Sequence, residues 1–241
     1  MPELAALDWH AHPRDLGFTV DRSELLTLRA LNYGPRARSI TERLRSVPHR
    51  TLGEICARGT LVTGARFARV AADLGTRDPA GRPAAGLLGT PAEGRWIRAA
   101  QAPSDVRVHD ETVLVAAYGT LGDTEVYARS ILVTGSWLAH AYSQDFVRTT
   151  SADEEVPGAY LFALLRSEGA FRLLRSMSVG GKQQEYHLRL MQALPVPLCT
   201  ATDRARIAET VRAAHRDRDL ADRQEDEAFV ALDAAVEGAT R

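Results

Sequence analysis

Apolar residues recur with a helical period between residues 201 and 238. Positions seven residues apart, with neighbours three or four residues away, fall on one side of a helix. We call this set the alanine stripe; it comprises Ile207, Val211, Ala214, Ala221, Ala228, Leu232 and Ala235. Thr200 or Thr202 can cap the first turn, and Gly238 is a typical stop signal. The pattern predicts one helix of about 36 residues, a rod roughly 54 Å long.

Four of the seven residues in the alanine stripe are alanines, and the opposite side of the helix carries mixed charges. Alanine lets a second helix approach closely but buries little area, so the rod needs support from elsewhere. Two interpretations follow. The helix is either a solvated element packed on its own domain, or an exposed spacer that pairs with a second long helix.

Segments rich in apolar and β-branched residues predict strands upstream of the helix. They cover residues 106–108, 113–117 and 126–133. A strand-like element opens at Thr51-Leu-Gly-Glu-Ile55, and Leu194-Pro-Val-Pro-Leu198 predicts a short strand stiffened by its prolines. The first 49 residues are expected to be mostly helical.

A segment rich in Gly and Pro lies between residues 73 and 94. This spacing suits neither a helix nor a central strand, so it predicts a long loop. The loop is either a disordered insertion or a DNA-facing loop, because arginines flank or occupy it. The candidate DNA-binding arginines are Arg66, Arg69, Arg77, Arg82, Arg95 and Arg98.

The net charge of −1 conceals an uneven distribution. Residues 36–107 contain 13 arginines and 6 acidic residues, a net charge of +7. Residues 108–200 and 201–241 each carry a net charge of −3. Because phosphate binding is driven by Lys and Arg, only the first region has the charge expected of a nucleic-acid surface.

Short motifs follow one another between residues 111 and 207. They are Glu111-Thr-Val-Leu-Val-Ala-Ala-Tyr-Gly-Thr-Leu-Gly122, Pro157-Gly-Ala-Tyr-Leu-Phe-Ala-Leu-Leu-Arg-Ser167, Gly180-Gly-Lys-Gln-Gln184, Leu194-Pro-Val-Pro-Leu198 and Asp203-Arg-Ala-Arg-Ile207. In order and spacing they resemble a series of elements in specificity (S) subunits of type I restriction-modification enzymes. These elements are a strand with a Gly-Thr-x-Gly turn, a Pro-x-Tyr-Leu helix, a Gly-containing turn, the end of the target recognition domain and the start of the spacer helix. The resemblance covers residues 50–238.

The resemblance implies a fold and a domain organisation. The fold class would be an α/β (α+β) target recognition domain with a long C-terminal spacer helix. An N-terminal, mostly helical segment would occupy residues 1–49, the DNA target recognition domain 50–200, and the spacer or dimerisation helix 201–241. The chain departs from the family pattern at Cys199, where a proline is usual, and at Arg204, where a glutamine is usual.

The resemblance also implies partners. A full-length S subunit has two recognition domains and two antiparallel spacer helices, reads a bipartite site and recruits two methyltransferase subunits. This chain has one of each part. We therefore expect it to bind double-stranded DNA and a DNA adenine methyltransferase subunit, and to pair through residues 203–236 with a second copy or another half-subunit. S-adenosylmethionine is expected on the methyltransferase, and neither a cofactor nor a metal on this chain.

Two further places are candidates for DNA contact. Tyr118 can stack on a base or close the core. Lys182, Gln183 and Gln184 follow a Gly-Gly turn, and their side chains can contact phosphates or adenine edges.

Constellations of residues that carry catalysis are scarce in the sequence. Gly135-Ser136 lacks the Gly-x-Ser-x-Gly elbow, and neither a His-Glu-x-x-His motif nor a methyltransferase motif is present. We therefore expect a non-catalytic protein. We expect it to be cytoplasmic, because Cys56 and Cys199 are far apart and no apolar run reaches the length of a membrane span. The alternative is a protein-protein interaction adaptor that uses the same helix and does not bind DNA.

Overall fold

The computed structural model of the chain describes residues 18–64 and 106–239. Its helices are α1 (Pro35–Arg45), α2 (Leu52–Ile55), α3 (Gly158–Leu165), α4 (Glu168–Ser176), α5 (Leu188–Gln192) and α6 (Ala201–Ala239). Its strands are β1 (His49–Thr51), β2 (Thr60–Thr63), β3 (Thr112–Ala116), β4 (Ser130–Val133), β5 (Phe146–Thr150), β6 (Ser178–Gly180), β7 (Gln184–Tyr186) and β8 (Pro195–Pro197). Short 3-10 helices cover Arg22–Glu24, Ala30–Tyr33 and Gly135–Ala139. The protein therefore has a mixed α/β architecture with a long C-terminal helix, as the sequence pattern predicts.

Four antiparallel strands form the central sheet in the order β2-β5-β3-β4. Because successive side chains of a strand point to opposite faces, one face of β3 carries Val113 and Val115 and the other carries Leu114 and Ala116. The first face packs under α3, α4 and α6, and the second is covered by the segment around Gly135–Ala139. Both faces are thus buried, which explains the continuous apolar runs in these strands.

A two-stranded antiparallel ribbon, β1 with β8, closes the domain beside the long helix. Arg50 lies opposite Val196. The ribbon is bounded by a hydrogen bond from the Leu52 N–H to the Leu194 carbonyl (2.8 Å) and one from the Leu198 N–H to the Pro48 carbonyl (2.7 Å). The predicted Leu-Pro-Val-Pro-Leu strand is confirmed, and its prolines are tolerated because this ribbon has only two strands.

Helix α6 spans 39 residues, about 58 Å. The Thr200 hydroxyl accepts a hydrogen bond from the Asp203 N–H (3.1 Å), which confirms Thr200 as the cap. Residues 201–222, which we call the helix base, pack against the domain, and Ala208 is fully buried there. Residues 223–239, the distal segment, are all exposed. Gly238 does not stop the helix, which continues to Ala239, the last residue that the structure describes.

The strand predicted at residues 51–55 is wrong, because only Thr51 belongs to β1 and the next four residues form α2. The Thr51 hydroxyl accepts a hydrogen bond from the Glu54 N–H (3.2 Å), and the Glu54 carboxylate accepts one from the Thr51 N–H (2.7 Å). This reciprocal capping box starts a helix at once.

Two other strand boundaries differ from the prediction. Residues 106–108 form no strand, and residues 126–129 form a turn before β4. In that turn the Arg129 N–H donates to the Val126 carbonyl (2.9 Å), and Ala128 adopts a left-handed φ of 70°. The strand predicted at residues 126–133 therefore begins only at Ser130, after the turn.

The expectation of a mostly helical N-terminal segment lies partly outside the described residues. Between residues 18 and 49 the structure has two 3-10 helices and α1, with irregular backbone between them. The long loop predicted at residues 73–94 also lies outside the described ranges. Within those ranges, no helix combines the length and apolar character needed to cross a membrane.

Candidate functional site

The six candidate DNA-binding arginines, from Arg66 to Arg98, lie outside the described residues. Two other predicted DNA-contact elements come together in the fold. The Gln184 N–H, in β7, donates to the carbonyl of Gly119 (2.8 Å), which directly follows Tyr118. This contact places the turn after β3 against the β6-β7 hairpin. Elements some 60 residues apart in sequence are therefore neighbours.

Within the hairpin, the three predicted contact residues have different surroundings. Lys182 and Gln183 are exposed at the turn. Gln184 is buried, and its side-chain amide donates to the Gly181 carbonyl. Its position fits support of the turn, whereas Lys182 and Gln183 face solvent and are able to meet a ligand.

Tyr118 is half-buried and packs against the main core. Gly119 beside it has a φ of 151°, and a Cβ there would lie 3.0 Å from the Tyr127 Cβ. The close approach of these backbones accounts for a glycine at this position. Tyr118 therefore packs in part against the core.

Glu111 connects the helix base to the sheet. It precedes β3 with a left-handed φ of 57°. One carboxylate oxygen accepts a hydrogen bond from the Arg212 guanidinium of α6, and the other accepts one from the Ala159 N–H in the first turn of α3 (3.1 Å). The Glu111 carboxylate raises the pKa of Arg212. One side chain therefore ties together the start of a central strand, α3 and the long helix.

Asp219 makes a second connection about two turns further along α6. Its carboxylate accepts a hydrogen bond from the Ser136 N–H (3.0 Å), at the start of the 3-10 helix beside the sheet. This bond lowers the pKa of Asp219. Gly135 has a φ of 59°, and a Cβ there would lie 3.2 Å from the Asp219 carboxylate. Glycine thus permits both the turn and the approach of the helix.

His215 lies between these two connections, with its imidazole edge-on to two aromatic rings. The ring centroids are 5.4 Å from that of Phe162 and 6.5 Å from that of Trp137. Burial lowers the pKa of His215, and the nearby Arg218 and Arg166 add to this effect. The helix base is therefore held by two carboxylate contacts with an aromatic contact between them.

The alanine stripe divides between the two parts of α6. Ile207 and Val211 pack against the core of their own domain. The remaining members are exposed: Ala214, Ala221, Ala228, Leu232 and Ala235. The helix base therefore packs on its own domain, as the first interpretation predicts. The distal segment is exposed, and its pairing with a second helix stays a prediction.

The distal segment carries an apolar patch that the sequence prediction only partly includes. Phe229, Leu232 and Val236, which we call the distal patch, are spaced three and four residues apart, and each is more than half exposed. Phe229 and Val236 were missed because recurrence every seven residues selected the alanines. Their spacing relative to Leu232 is the sequence signal that identifies them.

The distal segment does not have the positive charge expected of a DNA-binding surface. Residues 223–239 contain five acidic residues and one arginine, a net charge of −4. An acidic helix repels phosphate, whereas exposed aromatic and aliphatic side chains favour a protein partner.

Comparison of the sequence with models of known protein families and with curated proteins finds no match.

Proposed function

We propose that this chain is a non-catalytic DNA-specificity subunit of a restriction-modification or methylation-based defence complex. The observation that carries the proposal is the attached helix base with its projecting distal segment. A rod tied to its domain by Glu111 and Asp219 transmits a fixed orientation. Such an arrangement suits a subunit that places a DNA-binding domain relative to a catalytic partner.

In this function the pairing surface is the exposed part of the alanine stripe, from Ala214 in the helix base to Ala235 in the distal segment. Seventeen residues of helix project with the distal patch exposed, and an isolated helix of that kind gains stability by packing against another. Pairing of two copies is two-fold symmetric, so each copy presents the same stripe to the other. The complex then holds two recognition domains at a set spacing, which suits a bipartite double-stranded DNA site.

DNA contact in this function uses the exposed turn at Lys182 and Gln183, together with the predicted arginines between Arg66 and Arg98. Lysine supplies phosphate contact and glutamine can pair with adenine edges. The partner that carries S-adenosylmethionine is a DNA adenine methyltransferase subunit. This chain supplies specificity, and the methyltransferase supplies chemistry.

The pairing is tested by light scattering of the purified full chain. The Ala214→Glu and Ala221→Glu double variant, and separately Leu232→Glu, should convert a dimer to a monomer because they bury charge in the stripe. Val230→Glu is a matched control: Val230 is also an exposed apolar residue of this helix but points away from Leu232. Dimers that persist in the Leu232→Glu variant would contradict the pairing.

Partner identity is tested by recovering the tagged chain from its native cells and identifying co-purifying chains by mass spectrometry. Recovery of an adenine methyltransferase supports the proposed function. Duplex binding is then measured by fluorescence anisotropy across salt concentrations, and binding through phosphates weakens steeply as salt rises. The Lys182→Gln variant should reduce the slope of that dependence by about one.

The second candidate function is a protein-protein interaction adaptor, which the acidic charge of the distal segment favours. An adaptor uses the same helix and needs no DNA. Absence of salt-dependent duplex binding, together with a stable partner other than a methyltransferase, would support the adaptor and contradict the specificity subunit.

A further inference from the structure

A cavity of about 320 Å³ opens between the start of α1 and the end of α4. Its volume lies near the lower end of the range for small-molecule sites. Three arginines line it, Arg36, Arg172 and Arg175, together with Asp123 and the first residues of α1. The cavity belongs to none of the surfaces described above, so its charge requires a separate explanation.

Arg175 is the central group of this cavity. The residue is only 7% exposed, and its one hydrogen bond within the described part of the chain is long, from Nη1 to the Tyr127 carbonyl (3.4 Å). No carboxylate among the described residues forms an ion pair with it. Arg175 lines the cavity, and no hydrogen bond within the described residues engages its Nε or Nη2. A guanidinium has five donors, and burying its charge is costly without a partner.

Positive charge is concentrated around the Phe171 ring. The guanidinium carbons of Arg129, Arg175 and Arg172 lie 3.9, 5.0 and 5.8 Å from the ring centroid. The nearby carboxylates, Asp123 and Glu168, both pair with Arg172, each at 2.6 Å. Within the described residues, neither Arg129 nor Arg175 forms an ion pair with a carboxylate.

Helix α1, which is 11 residues long, begins at this cavity without a side-chain cap. Pro35 occupies its first position and has no N–H, and within the described residues the Ala37 N–H has no acceptor. A free N–H at the positive end of a helix favours an anion. The turn before α1 is held in place because the Asn32 side chain donates to the Ser178 carbonyl (2.9 Å).

We propose that this cavity binds a phosphate group, held by the Arg175 guanidinium and the Ala37 N–H. The phosphate accepts from both donors and neutralises the buried charge of Arg175, which forms no ion pair within the described residues. The same chemistry is presented by inorganic phosphate or a small phosphate ester and by the backbone of DNA. The second source rests on the proposed function, and the first does not.

The wild-type chain provides the first test. Titration with inorganic phosphate should shift the NMR signals of the Ala37 amide and the Arg175 Nε–H, while sodium chloride at the same ionic strength should not. Calorimetry should then show phosphate binding at least about tenfold weaker in Arg175→Gln, since one charge-assisted bond is worth a factor of that size. Arg175→Lys should recover part of the binding.

The matched control is Arg189→Gln, which removes an exposed arginine from α5. It should bind phosphate as the wild type does. Circular dichroism establishes that each variant is folded. Wild-type signals that do not move, or equal phosphate binding by Arg175→Gln and the wild type, would overturn the proposal.

Duplex DNA separates the two sources. If Arg175→Gln weakens duplex binding by a similar factor, and phosphate competes with the duplex at constant ionic strength, the ligand is a backbone phosphate. If phosphate binds and the duplex affinity of the variant is unchanged, the ligand is a free phosphate or phosphate ester. If phosphate binds and the wild type binds no duplex, the cavity assignment stands and the DNA-specificity function fails.

Discussion

Replacing Glu111 tests how α6 is attached to the domain. The carboxylate accepts two hydrogen bonds, from the Arg212 guanidinium and from the Ala159 N–H. The Glu111 side chain is 20% exposed and that of Arg212 is 38% exposed, so solvent screens part of the attraction. With charge-assisted bonds worth about 1.5–3 kcal/mol each when well buried, we expect Glu111→Ala to lower the free energy of unfolding by about 2 kcal/mol.

The left-handed backbone at Glu111 makes a second variant informative. Alanine retains the strain of a φ of 57°, whereas glycine relieves about 1 kcal/mol of it. Glu111→Gly loses the same hydrogen bonds but should be less destabilised, by about 1 kcal/mol rather than 2. At about 2–4 °C per kcal/mol for a chain of this size, the Tm should fall by about 4–8 °C in the alanine variant and by about half as much in the glycine variant.

The assay is urea unfolding of both variants, of Arg212→Ala and of the double variant. The double-mutant cycle should give a Glu111–Arg212 coupling of about 1 kcal/mol. The Asp203–Arg206 pair on the same helix, with both side chains well exposed, is the matched control and should show no measurable coupling. An alanine variant as stable as the wild type, or a glycine variant less stable than the alanine variant, would refute the reasoning.

Two predictions concern pH and the other contacts of the helix base. Because burial beside Trp137 and Phe162 lowers the pKa of His215, the unfolded state takes up its proton first, near the ordinary value of about 6.5. The contribution of neutral His215 to the free energy of unfolding should therefore be fully present above that pH and be lost as the pH drops through it towards the folded pKa. Urea unfolding at pH 7.5, 6 and 5 should show that this dependence of stability on pH is weaker in His215→Phe. The same dependence in the variant and the wild type would contradict the prediction. Asp219→Ala should cost about 1 kcal/mol by removing the acceptor of the Ser136 N–H. Since the folded pKa of Asp219 is lowered, that contribution is present above about pH 3.9 and lost as the pH falls below it, so acid titrations of the two proteins should converge.

Local patterns predicted the elements whose structure depends on local chemistry. The start of α6 follows from Thr200 at its cap, and β8 follows from an apolar run stiffened by prolines. Helix α2 was also readable, because Thr51 and Glu54 have the capping-box spacing, but the β-like composition around Leu52 concealed it. For the two helices the deciding contacts join residues three apart. Strand β8 is signalled by its own composition, although its partner β1 lies far away in the sequence.

Elements that depend on distant partners could not be predicted in this way. Strand β5 was missed because Arg148 gives it a polar pattern, yet Arg148 is buried and donates to the Tyr142 carbonyl (2.8 Å). The connection between Glu111 and Arg212 joins residues 101 apart in sequence. Nothing in either local segment signals that contact. The same holds for the cavity at Arg175, which two helices from opposite parts of the chain enclose.

The β1-β8 ribbon has a consequence for how such a chain can change over time. Thr51 lies opposite Pro195, so the two ends of the segment that joins them are only one strand spacing apart. A segment whose ends meet in this way can be exchanged for another with the same end-to-end distance, as domain insertions show. The Thr200 cap of α6 lies outside the exchanged segment and stays in place. A substitute that also supplies counterparts of Glu111 and Ser136 would keep the contacts that hold α6. Under the proposed function, such an exchange would change DNA recognition and leave the proposed pairing helix in place.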